Sequence, residues 1–199
     1  MGFLETLVDK LSGDMQVDRG RVFATGVSAG GFMSLRLAIE SPSRFRAVAA
    51  VSASVATPEN FKCKPAAESQ PSVMIMNGTK DPLVPFAGGE VNLLGLFYKC
   101  GDVRSARESA QYFADRNKLS AAPQATQTVV AEGVSVEQIH WPQNAQDSNA
   151  KTEVELVVIH GGGHGMPQPY WRRPRLLGPS PMAPNGPAMI WEFFARQRG

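Results

Sequence analysis

The sequence has few cysteines, few histidines and no long run of charged or apolar residues. Each of these shortages excludes a class of protein. Two cysteines in 199 residues are too few for a disulfide framework, although Cys63 and Cys100 could form one bridge. Twenty basic and eighteen acidic side chains leave a formal net charge of +2 without a basic cluster, so we expect no nucleic-acid partner. No window holds the roughly eighteen apolar residues that span a bilayer, so we expect no membrane helix.

The composition and length favour a single globular domain over residues 1–199. Hydrophobic residues make up 43% of the chain and charged residues 19%, which suits a chain that buries a core. Glu5 and Asp9 interrupt the first apolar segment, so it does not resemble the core of a signal peptide. The sequence leaves the location in the cell open: without a signal-peptide core, the chain as it stands would be cytoplasmic.

Strand-like and helix-like patterns alternate along the chain. Continuous apolar runs of strand length suit a parallel sheet that helices cover on both faces, so the pattern predicts an α/β fold. Two long connections, 55–71 and 78–104, are predicted to be irregular. The predicted strands are 21–25, 47–52, 73–76, 129–130, 134–139 and 153–159, and the predicted helices are 3–11, 29–40, 105–119 and 189–196, the last begun at Pro187.

A proline-rich segment, 167–187, stands apart from this alternation. It holds seven of the fifteen prolines together with Tyr170 and Trp171. Two interpretations remain open: a surface loop wrapped on the domain, or a wall of a substrate pocket, because loops carry specificity on such scaffolds.

A serine between glycines is the strongest chemical signal, and it lies between the first predicted strand and the second predicted helix. The segment reads Gly26-Val-Ser28-Ala29-Gly30. A nucleophilic serine at a sharp strand-to-helix turn needs small residues two positions before and after it, and the next backbone N–H, that of Ala29, faces the developing oxyanion. The alternative is a glycine-rich helix start that packs closely or binds an anion.

A serine nucleophile needs a base, and the chain has three histidines, His140, His160 and His164. His164 follows a strong strand on a glycine-rich loop, where its ring could face both a serine and an acid, so we expect it to be the base. We expect His160 to face inward as a structural residue and His140 to be a strand side chain. The run from His160 to Gly163 matches the oxyanion loop of some lipases, but it follows the serine instead of preceding it, so we interpret the match as coincidence.

The acid that orients the imidazole is expected to be Asp81. It follows the strand at 73–76 and a turn at Gly78, so it should lie at the carboxyl edge of the sheet. Asp102 is the second candidate, and an Asx turn is the structural alternative for Asp81. No cluster has metal-ligand spacing and no phosphate-binding loop is present, so we expect no metal and no cofactor.

These motifs resemble the α/β-hydrolase esterase family that contains poly(3-hydroxybutyrate) depolymerases and feruloyl or acetylxylan esterases. The resemblance rests on segments 21–31, 77–86 and 161–165 and on the closing helix, in that order. It implies a mostly parallel sheet, and ester hydrolysis through an acyl-enzyme with Ser28 as nucleophile, His164 as base and Asp81 as acid. Small acyl or aromatic esters are the expected substrates.

One departure from the family is that only 27 residues precede Ser28, so the usual first strands and the loop that supplies a second oxyanion N–H are absent. Losing one such donor costs about 10²–10³ in rate. Either another group supplies this N–H, or the chain is a weak enzyme, or it is a fragment. The alternative function is therefore a weak or inactive hydrolase remnant that binds ligands or partners. A peptidase is a third possibility, which the lack of a gating module disfavours.

Two further expectations concern the surroundings of the serine. Phe86, Tyr170 and Trp171 are expected to bind substrate, since the loops carrying Asp81 and His164 should converge on one edge. The strand at 21–25 should be an open, apolar edge of the sheet, which predicts a homo-oligomer, most simply a two-fold dimer.

Overall fold

The structure is a computed structural model, and it describes residues 2–67, 71–92, 99–119, 122–131, 133–142 and 152–197. The helices are α1 (Gly2–Asp14), α2 (Ala29–Glu40), α3 (Ala106–Arg116) and α4 (Gly186–Arg196). The strands are β1 (Phe23–Val27), β2 (Ala47–Val51), β3 (Ser72–Gly78), β4 (Gly89–Asn92), β5 (Lys99–Val103), β6 (Gln124–Ala131), β7 (Val134–Trp141) and β8 (Val154–His160).

Six strands form the central sheet in the order β1-β2-β3-β8-β7-β6. Strands β1, β2, β3 and β8 run parallel to one another. Strand β7 pairs antiparallel with β8, and β6 pairs antiparallel with β7. The predicted α/β fold with a mostly parallel sheet is therefore confirmed. Because carboxyl ends of parallel strands meet at one edge, the segments after β1, β3 and β8 emerge together.

Helices cover both faces of the sheet. Every residue of β2 and β3 is buried, which explains why these strands are continuous apolar runs. Alternate residues divide between two clusters: Val48 and Ile75 pack with α2 and α3, whereas Ala49 and Met74 pack with α4 on the other face.

The helix boundaries follow local capping signals. A capping box begins α3, in which Ser105 and Glu108 satisfy each other's backbone N–H groups. Asn185 caps α4, and Pro187 lies in its first turn, where no N–H is needed. Both helices therefore begin where the sequence predicts to within a few residues.

The connection 78–104 was expected to be irregular, and the structure corrects this. Within it, β4 and β5 form an antiparallel pair outside the main sheet. The residues of β4 are exposed or half-buried, so they show no apolar run that would have indicated a strand.

The β1 side of the sheet is open in the described part of the chain, where β1 pairs with β2 alone. Helix α1 contacts the segment after α2 through Glu5 with Ser41 and Asp9 with Arg44. It has no buried residue and exposes Phe3, Leu7 and Leu11 at helical spacing. None of the helices among the described residues is long and apolar enough to cross a membrane.

Candidate active site

Ser28 lies at the sharp turn between β1 and α2. Its backbone has φ 55° and ψ −119°, a left-handed conformation that a serine adopts only when its surroundings enforce it. The Ser28 N–H donates to the Val51 carbonyl at 2.8 Å, which ties the turn to the end of β2. This strain at the strand-to-helix junction is the geometry that exposes a nucleophilic hydroxyl.

The glycines around Ser28 have unequal roles. A Cβ on Gly26 would lie 2.4 Å from the Gly30 carbonyl carbon, and one on Gly31 would lie 2.8 Å from the Val51 oxygen. A Cβ on Gly30 would meet nothing within 4 Å. The expectation that Gly30 itself must be small is therefore wrong: its backbone crowds Gly26, and the second position that requires glycine is Gly31.

His164 and Asp81 form a buried pair at the same edge of the sheet. His164 Nδ1 lies 2.9 Å from Asp81 Oδ2, and 7% of the histidine side chain and 1% of the aspartate side chain are exposed. Asp81 Oδ1 also accepts the Leu83 and Val84 N–H groups, at 2.8 and 2.9 Å. The Asx turn considered as an alternative is thus present, and it holds the carboxylate toward the imidazole.

The loop that carries His164 is held by main-chain contacts. The N–H groups of Gly163 and His164 donate to the carbonyls of Pro179 and Leu177, both at 2.7 Å. A Cβ on Gly163 would lie 2.5 Å from the Leu177 oxygen, so only glycine permits this approach. The proline-rich segment 167–187 therefore packs against the histidine loop and fixes its backbone.

Ser28 and His164 are joined through the end of β2. Ser52, the residue after Val51, is fully buried, and its Oγ accepts the Gly165 N–H at 2.7 Å. No described residue hydrogen-bonds to the Ser28 hydroxyl. Because Nδ1 of His164 faces Asp81, Nε2 is the ring nitrogen left to accept a proton from a serine.

The other acid and base candidates lie in separate networks. His140 Nε2 contacts Glu153 at 2.6 Å on the sheet surface, as expected for a strand side chain. His160 contacts Glu137 at 3.0 Å with 38% of its side chain exposed, so the expectation that it faces inward is wrong. Asp102 lies opposite Glu90 in the β4–β5 pair.

The predicted substrate-binding residues are dispersed. Phe86 is half-buried and packs against the core cluster that includes α2 and α3. Tyr170 and Trp171 are 79% and 58% exposed, and the Gln168 side chain binds the backbone of both. These contacts give none of the three residues a position beside Ser28.

Arg173 is a residue near the site that the sequence did not single out. Its Nη1 donates to the Met166 carbonyl at 2.6 Å, and a Cβ on Gly165 would lie 2.5 Å from the same nitrogen. Burial lowers the pKa of the Arg173 guanidinium, while the Asp81 carboxylate acts in the opposite direction. The three arginines of the proline-rich segment were the feature of the sequence that could have indicated it.

No group of three or more metal-ligating side chains occurs within the described ranges. Cys63 and Cys100 both lie in the described part, and no disulfide bond joins them.

Comparisons with known proteins show which proteins the chain resembles. The pattern of the Phospholipase/Carboxylesterase family matches residues 1–99. The chain is 30% identical to esterase NocK of Nocardia uniformis subsp. tsuyamanensis over 88% of this chain and 51% of that protein. It is 34% identical to feruloyl esterase C of Aspergillus niger over 98% of this chain and 57% of that protein.

The chain thus spans about half the length of these relatives. An acetyl xylan esterase from Aspergillus awamori superposes with a TM-score of 0.55 and 17% identity, over 82% of this chain and 61% of that one. This likeness shows the shared fold.

Proposed function

Because the chain belongs to an esterase family of the α/β-hydrolases, we propose that it is a serine esterase that hydrolyses carboxylic esters through an acyl-enzyme. The observation that carries the proposal is the buried contact between His164 and Asp81, tied through β2 to the strained Ser28. A hydroxyl, an imidazole and a carboxylate in this chain order are the groups that such a mechanism requires.

In the first half of the reaction, Ser28 Oγ attacks the ester carbonyl while His164 Nε2 accepts its proton. Asp81 holds the imidazole with Nδ1 protonated and stabilises its charged form. The oxyanion accepts a hydrogen bond from the Ala29 N–H. This N–H lies in the first turn of α2 and therefore has no acceptor within the helix.

The tetrahedral intermediate then collapses. The ester C–O bond breaks, and the leaving alcohol takes the proton from His164 Nε2. In the second half, water gives a proton to the same nitrogen and attacks the acyl carbon. The bond between the acyl carbon and Ser28 Oγ then breaks, Ser28 Oγ takes the proton back from His164 Nε2, and the acid is released.

We propose small acyl or aromatic esters as substrates. An apolar cavity of about 240 Å³ lies between α2 and the segment that follows β2. Phe32, whose N–H donates to the Ser28 carbonyl, lines it, and Phe61 faces it from the other side. A space of this size and polarity suits an acyl group or an aromatic ring, in keeping with the feruloyl ester that names one relative.

The test is covalent labelling by a fluorophosphonate together with hydrolysis of p-nitrophenyl acetate and methyl ferulate. Labelling at Ser28, and loss of both activities in Ser28→Ala, are the expected results. Ser43→Ala, a change at an exposed serine after α2, is the matched control and should keep wild-type rates. A folded protein with no adduct and no turnover would instead support the alternative, an inactive hydrolase that binds ligands.

We also propose that the chain forms a two-fold homodimer through its open β1 side. A two-fold axis brings two copies of an edge strand together antiparallel, so β1 can satisfy its outer backbone groups with its own copy. The exposed stripe of Phe3, Leu7 and Leu11 on α1 would extend the apolar contact.

Sedimentation at low micromolar concentration tests the dimer. The wild type should sediment as a dimer, and Leu7→Lys should shift it toward monomer. The control Thr6→Lys places the same charge at an exposed residue of α1 outside this stripe and should leave the dimer intact. A monomeric, active wild type at that concentration would overturn the proposal.

A further inference from the structure

A cavity of about 470 Å³ lies against the loop that carries His164, and arginines dominate its walls. Gly161 lines one side, and the segment from Arg172 to Pro181 lines much of the rest. Three of the nine lining residues are arginines: Arg172, Arg173 and Arg175. None of these nine, all within the described part of the chain, is acidic.

The charges of these arginines are poorly compensated. Arg172 Nη1 lies 3.5 Å from the Ser180 carbonyl, and Arg173 Nη1 donates to the Met166 carbonyl, so both bind neutral oxygens. Arg173 Nε is buried without a hydrogen-bond partner. The arginine ion pairs among the described residues do not include Arg175. Among the described residues, the Asp81 carboxylate opposes the lowering of the Arg173 pKa by burial, and this carboxylate is already in contact with His164.

Other arginines of the protein show the usual arrangement. Arg107 contacts Glu137 at 2.9 Å, and Arg196 contacts Glu153 and Glu155 at 3.2 and 2.6 Å. The three arginines of the cavity differ from Arg107 and Arg196 because no carboxylate is among the residues that line the cavity. Forked guanidinium donors of this sort match the oxygens of carboxylates and phosphates.

We propose that this cavity binds an anionic group, a carboxylate or a phosphate, held chiefly by Arg172 and Arg175 at its exposed side and by Arg173 at its base. Ser28 is not among its lining residues, and its occupancy does not depend on the chain being an esterase. The ligand would bridge the proline-rich segment and Gly161, three residues before His164. It would therefore reinforce the contacts of Pro179 and Leu177 with the histidine loop.

An anionic ligand of this cavity could be a carboxylate or a phosphate, and the experiment distinguishes the two. A carboxylate could belong to an ester substrate or to the acid that hydrolysis releases, whereas a phosphate would be a free ion or part of another metabolite. Isothermal titration of the full chain with succinate, and separately with inorganic phosphate, at constant ionic strength measures both. Saturable one-site binding of either ion is expected, and the preferred ion identifies the source.

The arginines are then tested individually. Arg172→Gln and Arg175→Gln should each weaken binding about tenfold, which corresponds to the loss of one charge-assisted hydrogen bond. Arg175→Lys should retain part of the affinity. Arg21→Gln, which removes an exposed arginine paired with Asp18, is the control and should bind as the wild type does.

Both glutamine variants change exposed side chains, so their melting temperatures should remain those of the wild type, which separates a binding defect from unfolding. Absence of saturable binding by both ions, or unchanged binding in the Arg172→Gln/Arg175→Gln double variant, would overturn the proposal.

Discussion

Replacing Asp81 by asparagine should separate the proposed catalytic role of this residue from its structural role. The asparagine carbonyl can still accept the Leu83 and Val84 N–H groups that Asp81 Oδ1 accepts now. Its amide would then point an N–H at His164 Nδ1. The imidazole would respond by placing its proton on Nε2, where it can no longer accept the proton of Ser28.

The size of the effect follows from this tautomer change. In serine proteases the same substitution lowers kcat by about 10⁴, or about 5.5 kcal/mol of activation free energy, without disturbing the geometry. Asp81→Ala should behave differently, because it leaves two buried N–H groups unpaired at a cost of about 1–3 kcal/mol each. Asparagine should thus remove activity and largely spare stability, whereas alanine should reduce both.

The assay is kcat for p-nitrophenyl acetate, measured beside urea unfolding of the same samples. Asp102→Asn, the same change at the other acid considered, should leave kcat unaltered because Asp102 lies in the β4–β5 pair. If Asp81→Asn keeps kcat within tenfold of the wild type, the assignment of Asp81 as the orienting acid is refuted.

Three further predictions concern packing, pH and substrate choice. Gly26→Ala should destabilise the fold by about 1–3 kcal/mol or more, since its Cβ would overlap the main chain, whereas Gly30→Ala should be tolerated; thermal unfolding of the pair checks this, and equal stabilities would contradict it. Burial acts to raise the pKa of Glu153, but hydrogen bonds from His140 and attraction to Arg196 leave it below the ordinary value. This carboxylate therefore stabilises the fold above its unfolded-state pKa, and the contribution is lost as the pH falls through the lower folded-state pKa; urea unfolding between pH 7 and 3 should show a shallower loss in Glu153→Gln, and parallel curves would refute it. Phe61→Ala should change the ratio of kcat/KM for methyl ferulate and p-nitrophenyl acetate by enlarging the apolar cavity, and a change in Trp171→Ala instead would return the substrate wall to the proline-rich segment.

The residues that the sequence located well are those whose position depends on local rules. Helix α2 begins directly after Ser28 because small residues on both sides of the serine permit a sharp turn from strand to helix. Asp81 follows a buried strand, and His164 follows another, so parallel pairing brings the two loops to one edge without further information. Their contact at 2.9 Å is a consequence of topology that the apolar runs already indicate.

The residues that it located poorly depend on contacts between distant segments. Whether Gly30 or Gly31 needs to be small is decided by where β2 passes, which no local pattern states. The exposure of Tyr170 and Trp171 depends on how the proline-rich segment folds back, and aromatic composition alone suggested a pocket wall. The position of Arg173 next to Gly165 also depends on how the proline-rich segment folds back.

The end of β2 is where the proposed chemistry and the fold constrain each other most. Val51 accepts the N–H of Ser28 through its carbonyl, and Ser52 accepts the N–H of Gly165 through its hydroxyl. Adjacent residues of one buried strand end therefore hold the nucleophile turn and the histidine loop. Ser52 itself has φ 50°, a strained backbone conformation, and its N–H donates to the Met76 carbonyl of the neighbouring β3 at 2.9 Å. Strand pairing in the core thus holds both the Ser28 turn and the His164 loop, so a change that loosens β2 should reduce the proposed esterase activity before it unfolds the protein.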